Sequence, residues 1–212
     1  AQELLQPSPP PSAAAHDHSL LIAPQQYDYI KERYEDATLQ ALLVGALTKT
    51  ILILTGRPGV GKSHLAKQLI GDEHKDRKLV VPVAATWRGT EDLFGYVNPI
   101  INTYQPTLVS TFLHLAALAE QKGDTRARLV IFEEFNLSPP EHWFSEILVR
   151  SQYPADAREE RTIPLGGSEV EGWPKKTVPQ VYLSPHVYFV ATVNNDHTTV
   201  SYTHLRAHET HN

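Results

Sequence analysis

The sequence predicts an α/β fold in which helices cover both faces of a mostly parallel sheet. Short apolar runs recur along the chain, and segments with the apolar spacing of helices lie between them. The connections are long enough for helical crossovers between parallel strands. Polar or glycine-rich residues directly follow three of the runs, and such positions meet at one edge of a parallel sheet. The predicted architecture is therefore a three-layer αβα sandwich with a binding site at that edge.

Four apolar runs are predicted to form the strands. The first, residues 51–54, is a continuous run of branched side chains and is expected to be buried on both faces. The second, residues 79–83, is expected at an edge because Pro82 has no N–H group to donate. Residues 128–132 and 186–193 are the third and fourth strands.

The helices are predicted from apolar spacing and from capping signals. Residues 27–47 form two helical pieces that are expected to cover the sheet near the first strand. Residues 138–141 match a capping box and open a helix that ends near residue 151. A helix over residues 107–121 ends before Gly123. The apolar face of the first segment consists of Leu39, Leu42, Leu43 and Leu47, and that of residues 107–121 consists of Leu108, Phe112, Leu115, Leu118 and Ala119.

The remaining segments are polar, or rich in glycine and proline. Residues 1–19 are rich in proline and alanine and are expected to be a disordered linker, followed by a core over residues 20–200. Residues 87–104 contain several aromatic side chains and are interrupted by glycine, asparagine and proline, so only short helical pieces are predicted there. Within residues 153–183, two short apolar stretches are predicted to be the arms of a hairpin. The tail, residues 201–212, does not continue the pattern of the core.

Composition excludes several classes of protein. The 212-residue chain has a net charge of −5, so it has no global basic field that would indicate nucleic-acid binding. It has no cysteine, which excludes a disulfide framework and a thiolate metal site. No apolar run approaches membrane-spanning length, and a cytoplasmic location is expected. The absence of methionine and the start at Ala1 lead us to expect a fragment of a longer protein.

The most informative stretch follows the first predicted strand and fits the phosphate-loop pattern G-x-x-x-x-G-K-[ST]. Its glycines allow a tight turn whose N–H groups face phosphate oxygens. Lys62 is expected to reach the β- and γ-phosphates, and the Ser63 hydroxyl to bind Mg²⁺. The loop leads into a segment with helical spacing, which fits a phosphate at the positive end of a helix. The predicted nucleotide-binding residues are Gly56, Arg57, Pro58, Gly59, Val60, Gly61, Lys62, Ser63 and His64.

An acidic pair and an asparagine follow the third and fourth predicted strands. Glu133 is expected to orient Mg²⁺ together with Ser63, and Glu134 to polarise the attacking water. Asn194 is expected to hydrogen-bond that water or the γ-phosphate. The alternative for Glu133 and Glu134 is that they are two acids at a solvated strand end. The alternative for Asn194 is an asparagine in an ordinary turn.

Together these segments resemble the AAA+ superfamily of ring-forming NTPases, in the branch of the McrB-type GTPases with the MoxR-like and dynein-related ATPases nearby. GRPGVGKS at 56–63 resembles Walker A, and LVIFEEFNLSPPEHWF at 129–144 resembles Walker B with its following helix. WRGTEDLFGYVNP at 87–99 and FVATVNNDHTTV at 189–200 resemble the stretches that follow the second strand and form sensor 1 in this branch.

The resemblance implies a P-loop NTPase with sheet order 5-1-4-3-2, in which Glu134 is the catalytic acid and Asn194 is sensor 1. It also implies ATP or GTP with Mg²⁺ as ligands, and a homohexameric ring that remodels or translocates a protein or DNA. Glu133 stands where the family usually has aspartate. The chain stops after sensor 1, so the fifth strand, the arginine fingers and sensor 2 are not matched. We therefore expect the chain alone to hydrolyse nucleotide at close to the background rate.

Two other functions remain open at this stage. A P-loop kinase or transferase would use the same loop but would need an acceptor pocket. A nucleotide-gated regulator would bind nucleotide and scarcely hydrolyse it, and Glu133 is the feature that favours it. Phosphate release without an added acceptor distinguishes hydrolysis from both.

Overall fold

The computed structural model describes residues 24–48, 51–70, 72–166, 169–170 and 178–195. Two 3₁₀ helices, Asp72–Arg77 and Phe135–Leu137, join some of the regular elements. In chain order those elements are α1 (Pro24–Arg33), α2 (Asp36–Thr48), β1 (Ile51–Gly56), α3 (Lys62–Gln68), β2 (Lys78–Pro82), α4 (Thr90–Phe94), β3 (Gly95–Asn98), β4 (Thr103–Pro106), α5 (Leu108–Gln121), β5 (Arg128–Glu133), α6 (Pro140–Trp143), α7 (Ser145–Ser151), β6 (Thr162–Pro164), β7 (Gln180–Tyr182) and β8 (Val187–Asn194).

The four predicted strands form one parallel sheet with the order β1-β8-β5-β2. β8 lies in the middle, with Ile53 opposite Ala191 on one side and Ile131 opposite Val190 on the other. Within the described residues β2 pairs only with β5, which confirms the predicted edge position of the strand that contains Pro82. The α/β class and the parallel sheet are therefore confirmed.

Alternate residues of β5 face opposite layers, as the geometry of a strand requires. Leu129 and Ile131 pack with residues of α1, α2 and α3, including Leu42 and Leu65, and with Leu69 directly after α3. Leu52 and Leu54 of β1 pack against the same cluster, which confirms that the first two helices cover the sheet near β1. The side chains of residues 43 and 47, which were also predicted on that face, lie outside the described residues.

The other face of the sheet holds an aromatic cluster around Phe132 on β5. The Phe132 ring lies 5.4 Å from Phe144 and 5.5 Å from Trp143, between ring centroids, and Trp143 meets Trp87 edge-on at 4.8 Å. Phe189 of β8 stacks beside Phe132 at 6.4 Å. Because a helical layer packs on each face, the described part of the chain is compatible with the predicted three-layer sandwich.

β1 departs from the expectation of burial on both faces. Leu52 and Leu54 pack against the layer of α1, α2 and α3, but Ile53 on the opposite face is 47% exposed. Within the described residues β1 has a strand neighbour on one side only, which is β8. An edge strand is covered less completely than a central one, so apolar composition alone overstated its burial.

The predicted apolar face of α5 was wrong for its three leucines, although Phe112 does pack against the core. Leu108, Leu115 and Leu118 are 74%, 58% and 37% exposed, whereas Val109 and Leu113 are 2% and 0% exposed. The helix has apolar residues on two sides, and the side facing the sheet has the small residues Ser110, Ala116 and Ala117 among its buried positions. Small side chains let the helix approach the sheet closely, a preference that counting large apolar residues does not detect.

The predicted capping box at residues 138–141 was also wrong. Pro139 is the residue before α6 and no side chain caps this helix, while Ser138 is buried and its Oγ makes no hydrogen bond within the described structure. The single helix predicted here is divided at Phe144 into α6 and α7. Trp143 and Phe144 lie at this division, and both are buried in the aromatic cluster.

Two hairpins lie outside the central sheet. β6 and β7 are antiparallel, which confirms the hairpin predicted within residues 153–183. β3 and β4 form a second antiparallel pair that was missed in residues 87–104. At its first residue, Gly95 has φ 91°, and a Cβ there would clash with the backbone of Gln105. The predicted linker 1–19 and tail 201–212 lie outside the described residues, and no helix within the described ranges has the length and apolar character to span a bilayer.

The corrected orientation of α5 can be tested with two leucines of the same helix. We expect Leu113→Ala to lower the free energy of unfolding by about 2–5 kcal/mol, because it leaves a cavity against the sheet. Leu115→Ala should change it by about 0.5 kcal/mol or less, because that side chain is mostly exposed. Urea denaturation of both variants measures the difference, and a larger effect at Leu115 would restore the original assignment of the face.

Candidate active site

The carboxyl ends of β1, β5 and β8 surround a cleft of about 380 Å³. This convergence is the arrangement that the sequence predicted for polar residues following parallel strands. Of the predicted site residues, only Gly56, Arg57 and Val60 do not line it, and Val60 is 57% exposed to solvent. The lining residues are Pro58, Gly59, Gly61, Lys62, Ser63, His64, Glu133, Glu134, Thr192 and Asn194.

The loop between β1 and α3 depends on glycines at two positions. Gly59 has φ 79° and Gly61 has φ 90°, which are left-handed conformations that other residues adopt at a cost. A Cβ at Gly59 would meet nothing within 4 Å, so the requirement there is conformational rather than steric. The predicted need for glycine in a tight turn is therefore met at both positions.

Lys62 folds back over this loop. Its Nζ donates hydrogen bonds to the carbonyl oxygens of Gly56 and Arg57, at 3.0 and 2.8 Å. The ammonium group is thus held at the mouth of the loop by Gly56 and Arg57, neither of which lines the cleft. An anion in the cleft would meet this charge directly.

Helix α1 supports the loop from outside the sheet. The Tyr29 hydroxyl and His64 Nε2 are 2.9 Å apart, and the Arg33 guanidinium lies 3.8 Å from the centre of the Tyr29 ring. Tyr34 Oη lies close to Gly61, and burial raises the pKa of this phenol above its usual value. Sequence analysis missed these tyrosines because nothing in their spacing distinguishes them from helix surface residues.

Glu133 ends β5 and has a partner that the sequence did not reveal. Its Oε1 lies 2.8 Å from Nζ of Lys67, one turn along α3 from Ser63. Both side chains are partly covered, with 26% and 38% of their surface exposed. Glu133 lines the cleft, whereas Lys67 does not. The carboxylate therefore lines the same cleft as Ser63, but it is paired with a lysine.

Glu134 adopts a left-handed backbone conformation, with φ 55° and ψ 47°. For a residue with a Cβ this costs about 1–2 kcal/mol. Its N–H donates to Oγ1 of Thr192, at 3.3 Å, and its carbonyl accepts from the N–H of Leu137 at 2.8 Å. Such strained residues occur at functional sites where neighbouring groups hold them, and here the strain turns an exposed carboxylate toward the cleft.

Thr192 is the site residue that sequence analysis missed. It is only 3% exposed and precedes Asn194 by two positions on β8, so both side chains leave the same face of the strand. A polar residue inside an otherwise apolar strand was the available signal. Its hydroxyl links β8 to the turn after β5 through Glu134.

Two further hydrogen bonds hold Asn194 in place. The Nδ2 of Asn136 donates to the Asn194 carbonyl at 3.3 Å, and the N–H of Asn195 donates to the carbonyl of Gly56 at 3.1 Å. The three strand ends are thus joined directly, and the Asn194 side chain is left to line the cleft. Residues 196–200, the rest of the predicted sensor stretch, lie outside the described residues.

The donor set fits a magnesium ion that is bound together with phosphates. No group of three or more His, Cys, Asp or Glu residues suited to a metal occurs in the described ranges. Mg²⁺ is typically held by one or two protein oxygens while substrate phosphates and water complete its shell. Ser63 and Glu133 supply a hydroxyl and a carboxylate of that kind at the cleft.

Comparison of the chain with protein-family models and with curated proteins gives no match. The assignment of the site therefore depends on the motif, the strand order and the geometry described above.

The bond between Thr192 and Glu134 predicts a local change that can be measured without any ligand. Thr192→Val keeps the shape of the side chain but removes the acceptor, so the amide of Glu134 should exchange with solvent about five- to tenfold faster, the equivalent of a hydrogen bond of about 1 kcal/mol. Thr192→Ser retains a hydroxyl and should resemble the original protein. Hydrogen exchange by NMR, with the Val130 amide as an internal reference, measures both, and an unchanged rate in the valine variant would contradict the assigned contact.

Proposed function

We propose that this chain is the nucleotide-binding core of an AAA+ type NTPase of the McrB-like branch. The observation that carries the proposal is the convergence of Lys62, Ser63, Glu134 and Asn194 on one cleft. The four residues come from three separate parts of the sequence. Together they supply the ammonium, hydroxyl, carboxylate and amide groups that a phosphate-loop enzyme uses. The strand order β1-β8-β5-β2 supports it, because it corresponds to the 1-4-3-2 part of the family order.

In this proposal the loop and Lys62 bind the triphosphate of ATP or GTP. The Lys62 ammonium is already directed over the loop by two neutral carbonyl oxygens. A phosphate oxygen is a charged acceptor and forms a stronger hydrogen bond with an ammonium group than a carbonyl does. Lys62 is thus preorganised to exchange its carbonyl partners for phosphate.

Magnesium, held by Ser63 and Glu133, would neutralise charge on the phosphates and orient them. Glu134 acts on the water that attacks the γ-phosphate. Its carboxylate is exposed at the cleft, and the left-handed backbone held by Thr192 fixes the direction from which it approaches. Asn194 orients the water or the γ-phosphate by a hydrogen bond from its side-chain amide.

The remaining features of the proposal come from the resemblance. They are a homohexameric ring, an arginine supplied by a neighbouring subunit, and coupling of hydrolysis to remodelling or translocation of a protein or DNA. Hydrolysis is preferred over transfer to a second substrate because Glu134 and Asn194 both flank the cleft that holds Lys62, which suits activation of water. The Glu133–Lys67 pair favours the second candidate, a regulator that binds nucleotide and hydrolyses it slowly.

Lys62→Ala tests binding. We expect it to abolish measurable binding of MgATP and MgGTP, because the charge nearest the β- and γ-phosphates is removed. Calorimetric titration of each nucleotide measures this, with Lys122→Ala, an exposed position at the end of α5, as the control. Equal affinity in the Lys62→Ala variant and the original protein would exclude the phosphate-loop assignment.

Glu134→Gln tests catalysis. The variant should retain nucleotide affinity and lose turnover by about a hundredfold or more, because only the activation of water is removed. Phosphate release without an added acceptor should be measured in the ring-forming protein that the resemblance implies, because an isolated chain has no neighbouring subunit to supply an arginine. Glu133→Gln is the comparison. If it lost more turnover than Glu134→Gln, the roles assigned to the two acids would have to be reversed.

A further inference from the structure

We propose that Lys67 competes with Mg²⁺ for the carboxylate of Glu133, so that this ion pair lowers the metal affinity of the cleft. The inference rests on the proposed nucleotide site and adds a residue that neither the motif nor the resemblance assigns. The proposal concerns the binding of the metal ion to the nucleotide complex. This binding would require the Glu133–Lys67 ion pair to break.

The position of Lys67 on α3 is the first argument. Ser63 and Lys67 are four residues apart in one helix, so their side chains lie on the same face, about 6 Å apart along the axis. Glu133 stands opposite this face and contacts the residue farther from the loop. Its Oε1 is therefore directed toward Lys67, one turn beyond the hydroxyl that would share the metal.

The length of the Glu133 side chain is the second argument. Glutamate is one methylene longer than aspartate, and this extra reach allows a contact of 2.8 Å with a lysine that does not line the cleft. The pair is also partly covered, so it is screened less by solvent than a fully exposed one. A glutamate at this position can thus serve two partners, Lys67 and a metal, that approach from different sides.

The charge at the site is the third argument. A carboxylate paired with an ammonium group has little net charge, and Mg²⁺ is a hard cation that needs anionic oxygen. When a binding-competent state is only fractionally populated, apparent affinity falls by that fraction. If the pair withholds Glu133 for about nine-tenths of the time, metal affinity is lowered roughly tenfold.

Lys67→Met tests this proposal, because methionine keeps much of the apolar stem and removes the charge. Magnesium chloride is titrated calorimetrically into the chain saturated with ADP, and separately with GDP. We expect half-saturation at a roughly tenfold lower Mg²⁺ concentration than in the original protein. Nucleotide affinity in EDTA should change by less than about threefold, since Lys67 does not line the cleft. Lys67→Arg keeps the ion pair and should leave both values near those of the original protein.

A second background shows whether Lys67 acts through Glu133. In Glu133→Gln the carboxylate is absent, so adding Lys67→Met should change the Mg²⁺ half-saturation by less than about threefold. A tenfold gain that persists there would overturn the proposal, because Lys67 would then repel the metal directly. Unchanged or weaker metal binding in Lys67→Met alone would also overturn it, since the pair would then position Glu133. If the original protein binds nucleotide but Lys67→Met does not change Mg²⁺ binding, only this proposal is excluded. If the original protein does not bind nucleotide at all, both the proposed function and this proposal are excluded.

Discussion

The candidate site depends on one topological constraint, the position of β8 between β1 and β5. In a parallel sheet the carboxyl ends of neighbouring strands lie side by side. Three hydrogen bonds convert this proximity into a fixed arrangement: Asn195 donates to Gly56, Asn136 donates to the carbonyl of Asn194, and Glu134 donates to Thr192. Each bond joins β8 or the residue after it either to the last residue of β1 or to the turn that follows β5. The glycine loop, the acidic pair and the asparagine therefore take their relative positions from the sheet.

The aromatic cluster below the sheet packs directly behind this edge. Phe132 immediately precedes the acidic pair, is fully buried, and packs against Trp143, Phe144 and Phe189. Large rings packed on several sides leave β5 little freedom to shift along its neighbours, because protein interiors are close-packed. The left-handed conformation of Glu134 is maintained next to this cluster. The division of one predicted helix into α6 and α7 lies at Trp143 and Phe144, which are both buried in the cluster. The helix ends here do not follow the local capping signal.

The sequence predicted those features that follow from short-range pattern and chain order. The strands at 51–54, 128–132 and 186–193, and the gathering of the loop and the polar residues at one cleft, needed only apolar runs and parallel topology. Features that depend on which surfaces meet were not predictable. α5 has two apolar sides, and the side with Ser110, Ala116 and Ala117 packs on the sheet because it approaches most closely. The β3–β4 hairpin was missed although Asn98-Pro99 is a turn signal, because each of its strands has only four residues and gives no clear alternation. Thr192 and Lys67 are ordinary residues in the sequence, and their importance arises from partners 58 and 66 positions away, Glu134 and Glu133.

The two lysines of α3 have opposite relations to the cleft. Lys62 begins the helix, and its ammonium is hydrogen-bonded by neutral carbonyl oxygens of the loop. If a phosphate oxygen replaced those carbonyl oxygens, the Lys62 ammonium would have a charged acceptor in place of neutral ones. Its hydrogen bonds would therefore become stronger when an anion binds. Lys67 already has a carboxylate, Glu133, and would lose that partner to a metal ion. In the same short helix, Lys62 would therefore gain a charged partner when phosphate binds, whereas Lys67 would lose its partner when a metal ion binds. In the proposed site, phosphate binding would be favoured by the loop as it stands, and metal binding would be set by the stability of a single ion pair behind it.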